Sequence, residues 1–317
     1  MKHNYKITFV LLAMFLITQF IGFYVVQYYS PVQVVEGIPQ NVSDAQALPY
    51  GMQPPAMQQE KDFYTFLPSL IIAFILAITL VFLLTKFEMA TIIKLWFFVV
   101  IIIALGISLN TLIPKSVAYS SLIAAVIALP LAYIKTYKKE FIVHNITELF
   151  IYPGIAAVFV PILNIWTIII LLILISVYDM WAVWHSGIMQ KMAKYQINKL
   201  NVFSGFFLPY ADQKTRKKIK LMKQKIKEKK ISKTQANKKS FKVNVAILGG
   251  GDVIFPIIAA GVFMKTFGFI PALFVTLGAT LGLAYLFFCA EKKKFYPAMP
   301  YITTGILLGM LAGYFLV

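Results

Sequence analysis

The chain has 317 residues, 60% of them hydrophobic and 13% charged, whereas a soluble globular domain is roughly 45–50% apolar and about 25% charged. That balance excludes an ordinary soluble enzyme and predicts an all-α fold, a polytopic membrane helix bundle whose solvent is largely the lipid bilayer. The formal net charge of +18 would suggest nucleic acid as the partner of a soluble protein, but here the charge lies between apolar runs, so topology accounts for it and no nucleic-acid partner is expected.

The apolar runs predict about nine spans, each near the ~20 residues needed to cross a bilayer. They cover residues 7–28, 64–85, 89–112, 117–137, 141–163, 165–185, 243–264, 267–289 and 297–317. The first is too long for a signal-peptide core and has no small-residue cleavage site after it, so it is read as a span. With Lys2 and Lys6 on the cytoplasmic side, alternate connections are basic: Lys86 and Lys94, then Lys135, Lys138 and Lys139, then 186–242, then Lys292 to Lys294. The connection 29–63 carries Glu36, Asp44, Glu60 and Asp62 against Lys61 and is rich in Pro and Gln, which predicts an irregular outer loop. This pattern puts the N-terminus in the cytoplasm and the C-terminus outside. Segment 186–242 then divides the chain into a six-span part, 1–185, and a three-span part, 243–317. Its basic stretch, Lys214 to Lys239, reads as a solvated cytoplasmic loop; the alternative is a surface segment held on anionic lipid headgroups.

One cysteine, Cys289, excludes an intrachain disulfide and a cysteine metal cluster. The histidines His3, His144 and His185 are scattered without an HExxH pattern, which argues against a zinc or di-metal enzyme. No metal or organic cofactor is expected.

Two aspartates fall inside apolar runs. Asp179 lies in the sixth span and Asp252 in the seventh, and an ionised carboxylate at membrane depth costs ~3 kcal/mol or more on insertion scales. Treating both spans as helices puts the two acids at similar depth, roughly 9–14 Å from the cytoplasmic ends at about 1.5 Å per residue. Paired carboxylates in a low dielectric share a proton, so one can activate water while the other donates a hydrogen bond to a carbonyl. The same two acids would also suit an ion or proton pathway in a transporter or channel.

The neighbouring residues separate these readings. Gly249, Gly250 and Gly251 precede Asp252, weaken a helix there and permit close backbone approach; tight helix packing would also explain them. Pro256 supplies no N–H to the Asp252 carbonyl. Pro297-Ala298-Met299-Pro300 opens the last span and disfavours helix at its start. Glu148, with His144 one turn before it, reads as an i,i+4 polar pair near the cytoplasmic interface.

Together these segments resemble the presenilin and signal-peptide-peptidase family of intramembrane aspartyl proteases, and its archaeal members most. Tyr178-Asp179 matches the YD motif, Gly249-Gly250-Gly251-Asp252 the GxGD motif, and Pro297-Ala298-Met299 the PAL motif with Met in place of Leu. A literal Pro271-Ala272-Leu273 falls in the eighth span, on the outer side, and is read as a chance match. A prepilin-peptidase-like enzyme also uses a GxGD aspartate, but would not be expected to place a PAL-like segment at a ninth span. The resemblance implies a presenilin-like bundle in which Asp179 and Asp252 activate water to cleave an unwound transmembrane-helix substrate. It further implies that Tyr178, the three glycines and Pro297, Ala298 and Met299 shape the site or contact substrate. Presenilins need partner subunits and signal peptide peptidases can act alone, so accessory subunits and a homo-oligomer both stay open.

Overall fold

The computed structural model describes residues 5–30, 32–35, 38–41, 46–55, 57, 59–138, 140–186, 204–210, 244–290 and 296–315. Among these, nine α-helices follow one another: α1 (Tyr5–Tyr29), α2 (Glu60–Lys86), α3 (Ala90–Asn110), α4 (Ser120–Tyr133), α5 (Phe141–Phe159), α6 (Ile165–Trp181), α7 (Gly250–Phe267), α8 (Phe269–Cys289) and α9 (Met299–Tyr314). Eight are long and apolar enough to cross a membrane, α4 and α6 counting with the wide turns at their C-terminal ends and α5 with a tight one, and α9, at 16 residues, is shorter. Helices dominate for the expected reason: in lipid, backbone groups must find partners within the chain.

Two of the helices, α5 and α7, are the most buried and form the centre of the bundle. Around them pack α1, α3, α6 and the α8–α9 pair. In α2, by contrast, only Leu67 and Leu70 are buried. The most extensive helix contact joins α8 to α9. Gly278 and Gly282 of α8 lie against Gly305 and Gly309 of α9, and a Cβ on any of the four would meet the partner's backbone. Small residues allow this approach, and in lipid the resulting packing is what holds such helices together.

The end of α5 is held differently. A tight turn, Val160–Ile162, follows it. Lys265, in the last turn of α7, donates to the carbonyls of Pro161 and Leu163 at 3.4 and 3.3 Å. A cation beside a helix C-terminus satisfies carbonyls that the helix cannot. Lys265→Met is expected to lower stability by about 1–3 kcal/mol, read from thermal unfolding in lipid, and to leave proteolysis per folded molecule unchanged.

Three expectations from the sequence change. The outer loop 29–63 is not wholly irregular, because β1 (Val32–Val35) and β2 (Ile38–Asn41) pair antiparallel as a hairpin. Within 186–242, β3 (Gly205–Tyr210) pairs antiparallel with β4 (Asn244–Gly249), in the register Gly205↔Gly249. The basic stretch Lys214 to Lys239 lies outside the described residues. The seventh span therefore begins as a strand, and its helix starts only at Gly250. Along β4 the alternation is that of a strand: Val245 and Ile247 are exposed while Ala246 and Leu248 are buried.

Candidate active site

Asp252 sits in the first turn of α7, not deep within a helix as a continuous span from 243 implied. The three glycines mark the junction of strand and helix. Gly249 is the residue capping the helix, and Asp252, three positions on, reaches back so that the Gly249 N–H donates to its carboxylate. This is half of a capping box, in which an acid satisfies an amide that the helix leaves unpaired. The contact is close: a Cβ on Gly249 would lie 3.1 Å from Asp252 Oδ2.

Asp179 lies in the last turn of α6 and is buried. Its Oδ2 accepts the Met299 N–H at 3.0 Å, and the Ala298 amide serves the same carboxylate. The start of α9 explains why this amide is available. Helix α9 begins at Met299, with Pro300 inside its first turn. Proline fits there because first-turn N–H groups have no intrahelical acceptor, and for the same reason the Met299 N–H is free to bind a carboxylate. Both acids are thus held by amides at helix N-termini, where the helix dipole favours negative charge. The two carboxylates lie within electrostatic range of each other. Beside Asp252 is a cavity of about 100 Å³ whose mixed polar and apolar wall includes Ile247, Leu248, Leu283, Phe287, Tyr296 and Ala298.

A second bond sets α6 against α9. Ser176 Oγ donates to Thr303 Oγ1 at 2.7 Å, one turn from the Asp179–Met299 contact on each helix. Thr303→Val keeps the shape and removes this acceptor. It should cost about 1–2 kcal/mol in thermal stability and lower proteolysis per folded molecule severalfold, because the register that brings Met299 to Asp179 is loosened. Unchanged activity would mean the register is held elsewhere.

The remaining motif residues divide. Gly250 is buried against the Tyr152 ring and Ser204, and a Cβ there would lie 2.7 Å from Ser204 Oγ. Gly251 is exposed, and its Cβ would meet only Phe255, at 3.8 Å. Pro297 is buried directly before the Asp179 ligands. Tyr178 is 43% exposed, with its ring 6.4 Å from that of Trp181 and its hydroxyl within electrostatic range of Asp179. Pro271-Ala272-Leu273 opens α8 and packs near Gly313, at the end of α9 remote from Met299. Among the described residues no group of His, Cys, Asp and Glu is arranged to hold a metal ion.

The family model described as "Signal-peptide peptidase, presenilin aspartyl protease" matches residues 42–317, a stretch that includes both acids and the Pro297 segment. The chain belongs to that family. The protease also resembles a solved presenilin family intramembrane aspartate protease in two crystal forms. In the C222 form the TM-score is 0.60 at 19% identity, over 98% of this chain and 99% of that one. In the P2 form it is 0.58 at 19% identity, over 97% of each chain. At that identity the likeness concerns the fold. No curated protein matches. The protease is an integral membrane enzyme, an intramembrane aspartyl protease, and the transporter reading gains no support.

Sequence reasoning missed several residues around this site. Tyr152 is fully buried, its ring 5.5 Å from that of Phe206, and it borders Gly250. Lys135 joins the foreseen His144–Glu148 pair and donates to Glu148 Oε1 at 2.6 Å. A signal was present, since His144, Glu148 and Tyr152 recur every fourth residue and so mark one face of α5. The Ser204–Gly205 contribution had none, because it comes from far along the chain.

Proposed function

We propose that Asp179 and Asp252 form the catalytic dyad of a GxGD-type intramembrane protease. The observation that carries the reading is the convergence of two carboxylates from different helices, each anchored by an amide at a helix N-terminus and each within electrostatic range of the other. The ionised carboxylate takes a proton from water as the water oxygen bonds to the scissile carbonyl carbon. The protonated one donates a hydrogen bond to the carbonyl oxygen, where negative charge develops. Collapse of the tetrahedral intermediate breaks the C–N bond, and the leaving nitrogen takes the proton back from the dyad.

The substrate is a transmembrane helix that unwinds locally, since helical amides are shielded from attack. Its extended segment adds to the edge of β4 that faces away from β3, beside Gly249 and the Pro297, Ala298 and Met299 segment. The cavity by Asp252 admits one side chain of that segment. Positive-inside bias sets the N-terminus in the cytoplasm and the C-terminus outside, so the dyad opens toward the cytoplasmic side. The six-span part, 1–185, supplies Asp179; the three-span part, 243–317, supplies Asp252 and Met299.

The test is a reconstituted preparation offered a single-span peptide. Cleavage within the span is expected, blocked by a hydroxyl-bearing transition-state mimic that competes with substrate. An active preparation indifferent to such mimics would sink the dyad mechanism.

A further inference from the structure

The buried polar cluster formed by α5 and the wide turn Ile134–Lys138 after α4 lies outside the dyad, and its contacts lead toward it. Lys135, His144 and Glu148 are 5%, 6% and 1% exposed. Lys135 Nζ contacts Glu148 Oε1 at 2.6 Å and His144 Nδ1 at 3.2 Å. An ammonium has no lone pair, so Nδ1 is the acceptor and the ring proton is assigned to Nε2. That proton is then donated to the Gly205 carbonyl at 2.8 Å, while the Gly205 N–H donates to Glu148 Oε1 at 3.2 Å. Both backbone groups of Gly205 are therefore taken by side chains one turn apart on α5.

Asn145 repeats the pattern two residues along the strand. Its Nδ2 donates to the Phe207 carbonyl at 3.1 Å, and its Oδ1 accepts the Phe207 N–H at 3.2 Å. Gly205 and Phe207 point to the same edge of β3, and the residues between them point to β4. The side chains of α5 thus occupy the outer edge of β3 as a third strand would. Pro209, which has no N–H, falls next on that same edge.

The contact continues to the site. Ser204 lies beside Gly205, and its carbonyl accepts the Gly250 N–H at 3.3 Å. Gly205 stands opposite Gly249 in the sheet, at a φ of 149° that favours glycine. Gly249 in turn donates to Asp252. Gly250 is packed so closely on Ser204 and Tyr152 that a shift of β3 must move it. A buried ion pair adds little stability over apolar packing of the same volume. Its contribution here is geometric.

We propose that Lys135, His144, Asn145 and Glu148 are positioning residues for Asp252, acting through Gly205 and Ser204 on the glycines that hold its carboxylate. The inference rests on Asp252 being catalytic, and its test separates the two claims. Full-length His144→Phe, His144→Gln, Glu148→Gln, Asp252→Asn and the stability control Lys265→Met are reconstituted with a single-span peptide that the wild type cleaves, and kcat and KM are normalised to the folded fraction.

His144→Phe and Glu148→Gln should each lower kcat about tenfold, with KM within about threefold of wild type. His144→Gln, whose amide can still donate to Gly205, should recover most of the loss. Lys265→Met should keep the wild-type kcat. If Glu148→Gln does not fold, the Phe and Gln variants of His144 decide alone. Values of kcat within about twofold of wild type in His144→Phe, or losses that Lys265→Met shares in proportion to its melting temperature, would overturn the positioning role. Activity surviving in Asp252→Asn would instead overturn the dyad, whatever the α5 variants do.

Discussion

Asp252→Asn and Asp179→Asn should each abolish proteolysis, by about four orders of magnitude or more, while leaving the fold in place. Asparagine is nearly isosteric with aspartate and keeps one oxygen acceptor. At position 252 that oxygen can still take the Gly249 N–H, and at 179 it can still take the Met299 N–H. The anchoring is retained, so the change falls on proton transfer. With one carboxamide, the pair can no longer both accept a proton from water and donate one to the leaving nitrogen. Thermal stability should change by about 1 kcal/mol or less, because a costly buried charge is lost together with its charge-assisted hydrogen bond. The measurement is cleavage of a single-span peptide beside a melting curve of the same preparation. Cleavage above a hundredth of wild type in a folded Asn variant would argue against a shared dyad.

The second large effect lies away from the acids. Gly305→Leu places a branched side chain where the backbone of α8 already stands, and Gly278 opposite it has no side chain to move aside. Overpacking that only displaces side chains costs roughly 1–3 kcal/mol, and collision with a helix backbone should exceed about 3 kcal/mol. Separating the pair displaces α9 relative to α8. That motion carries Met299 off Asp179, so whatever fraction folds should also be inactive. Gly251→Leu is the contrast, since a Cβ there meets only Phe255 at ordinary contact distance. It should fold normally and affect only events at the exposed face of the site. Folded yield from size exclusion in detergent reads the first effect, and cleavage per folded molecule reads the second. Wild-type melting in Gly305→Leu would mean that α8 and α9 do not depend on this contact.

Much of this arrangement was legible. Lipid demands long apolar runs, and the helices follow those runs to within a few residues except at Asn244–Gly249. Asp179 and Asp252 stood out because a charge in such a run is costly, and Pro297 to Pro300, an ordinary span start by itself, gained meaning only beside them. Hidden instead were the strand pairings, one between distant segments and one local. The strand Asn244–Gly249 is as apolar as a helix end, and its partner begins at Gly205, beyond a long basic stretch. The hairpin Val32–Asn41 was masked by the Pro and Gln of its surroundings. The spacing of Gly278 and Gly282 against Gly305 and Gly309 was visible as a small-residue pattern, yet which helix each pair would meet depends on the fold. The acids announced themselves by energy, and the groups that hold them did so only by position.

The occupied outer edge of β3 has a consequence for stoichiometry. Exposed sheet edges invite other chains, including further copies of the same protein. With α5 side chains on one side of the β3–β4 pair, the sheet can grow in one direction only, along β4 and toward Asp252. On the proposed docking, another chain's strand and a substrate compete for a single berth, and the sheet is kept from collecting strands at its back.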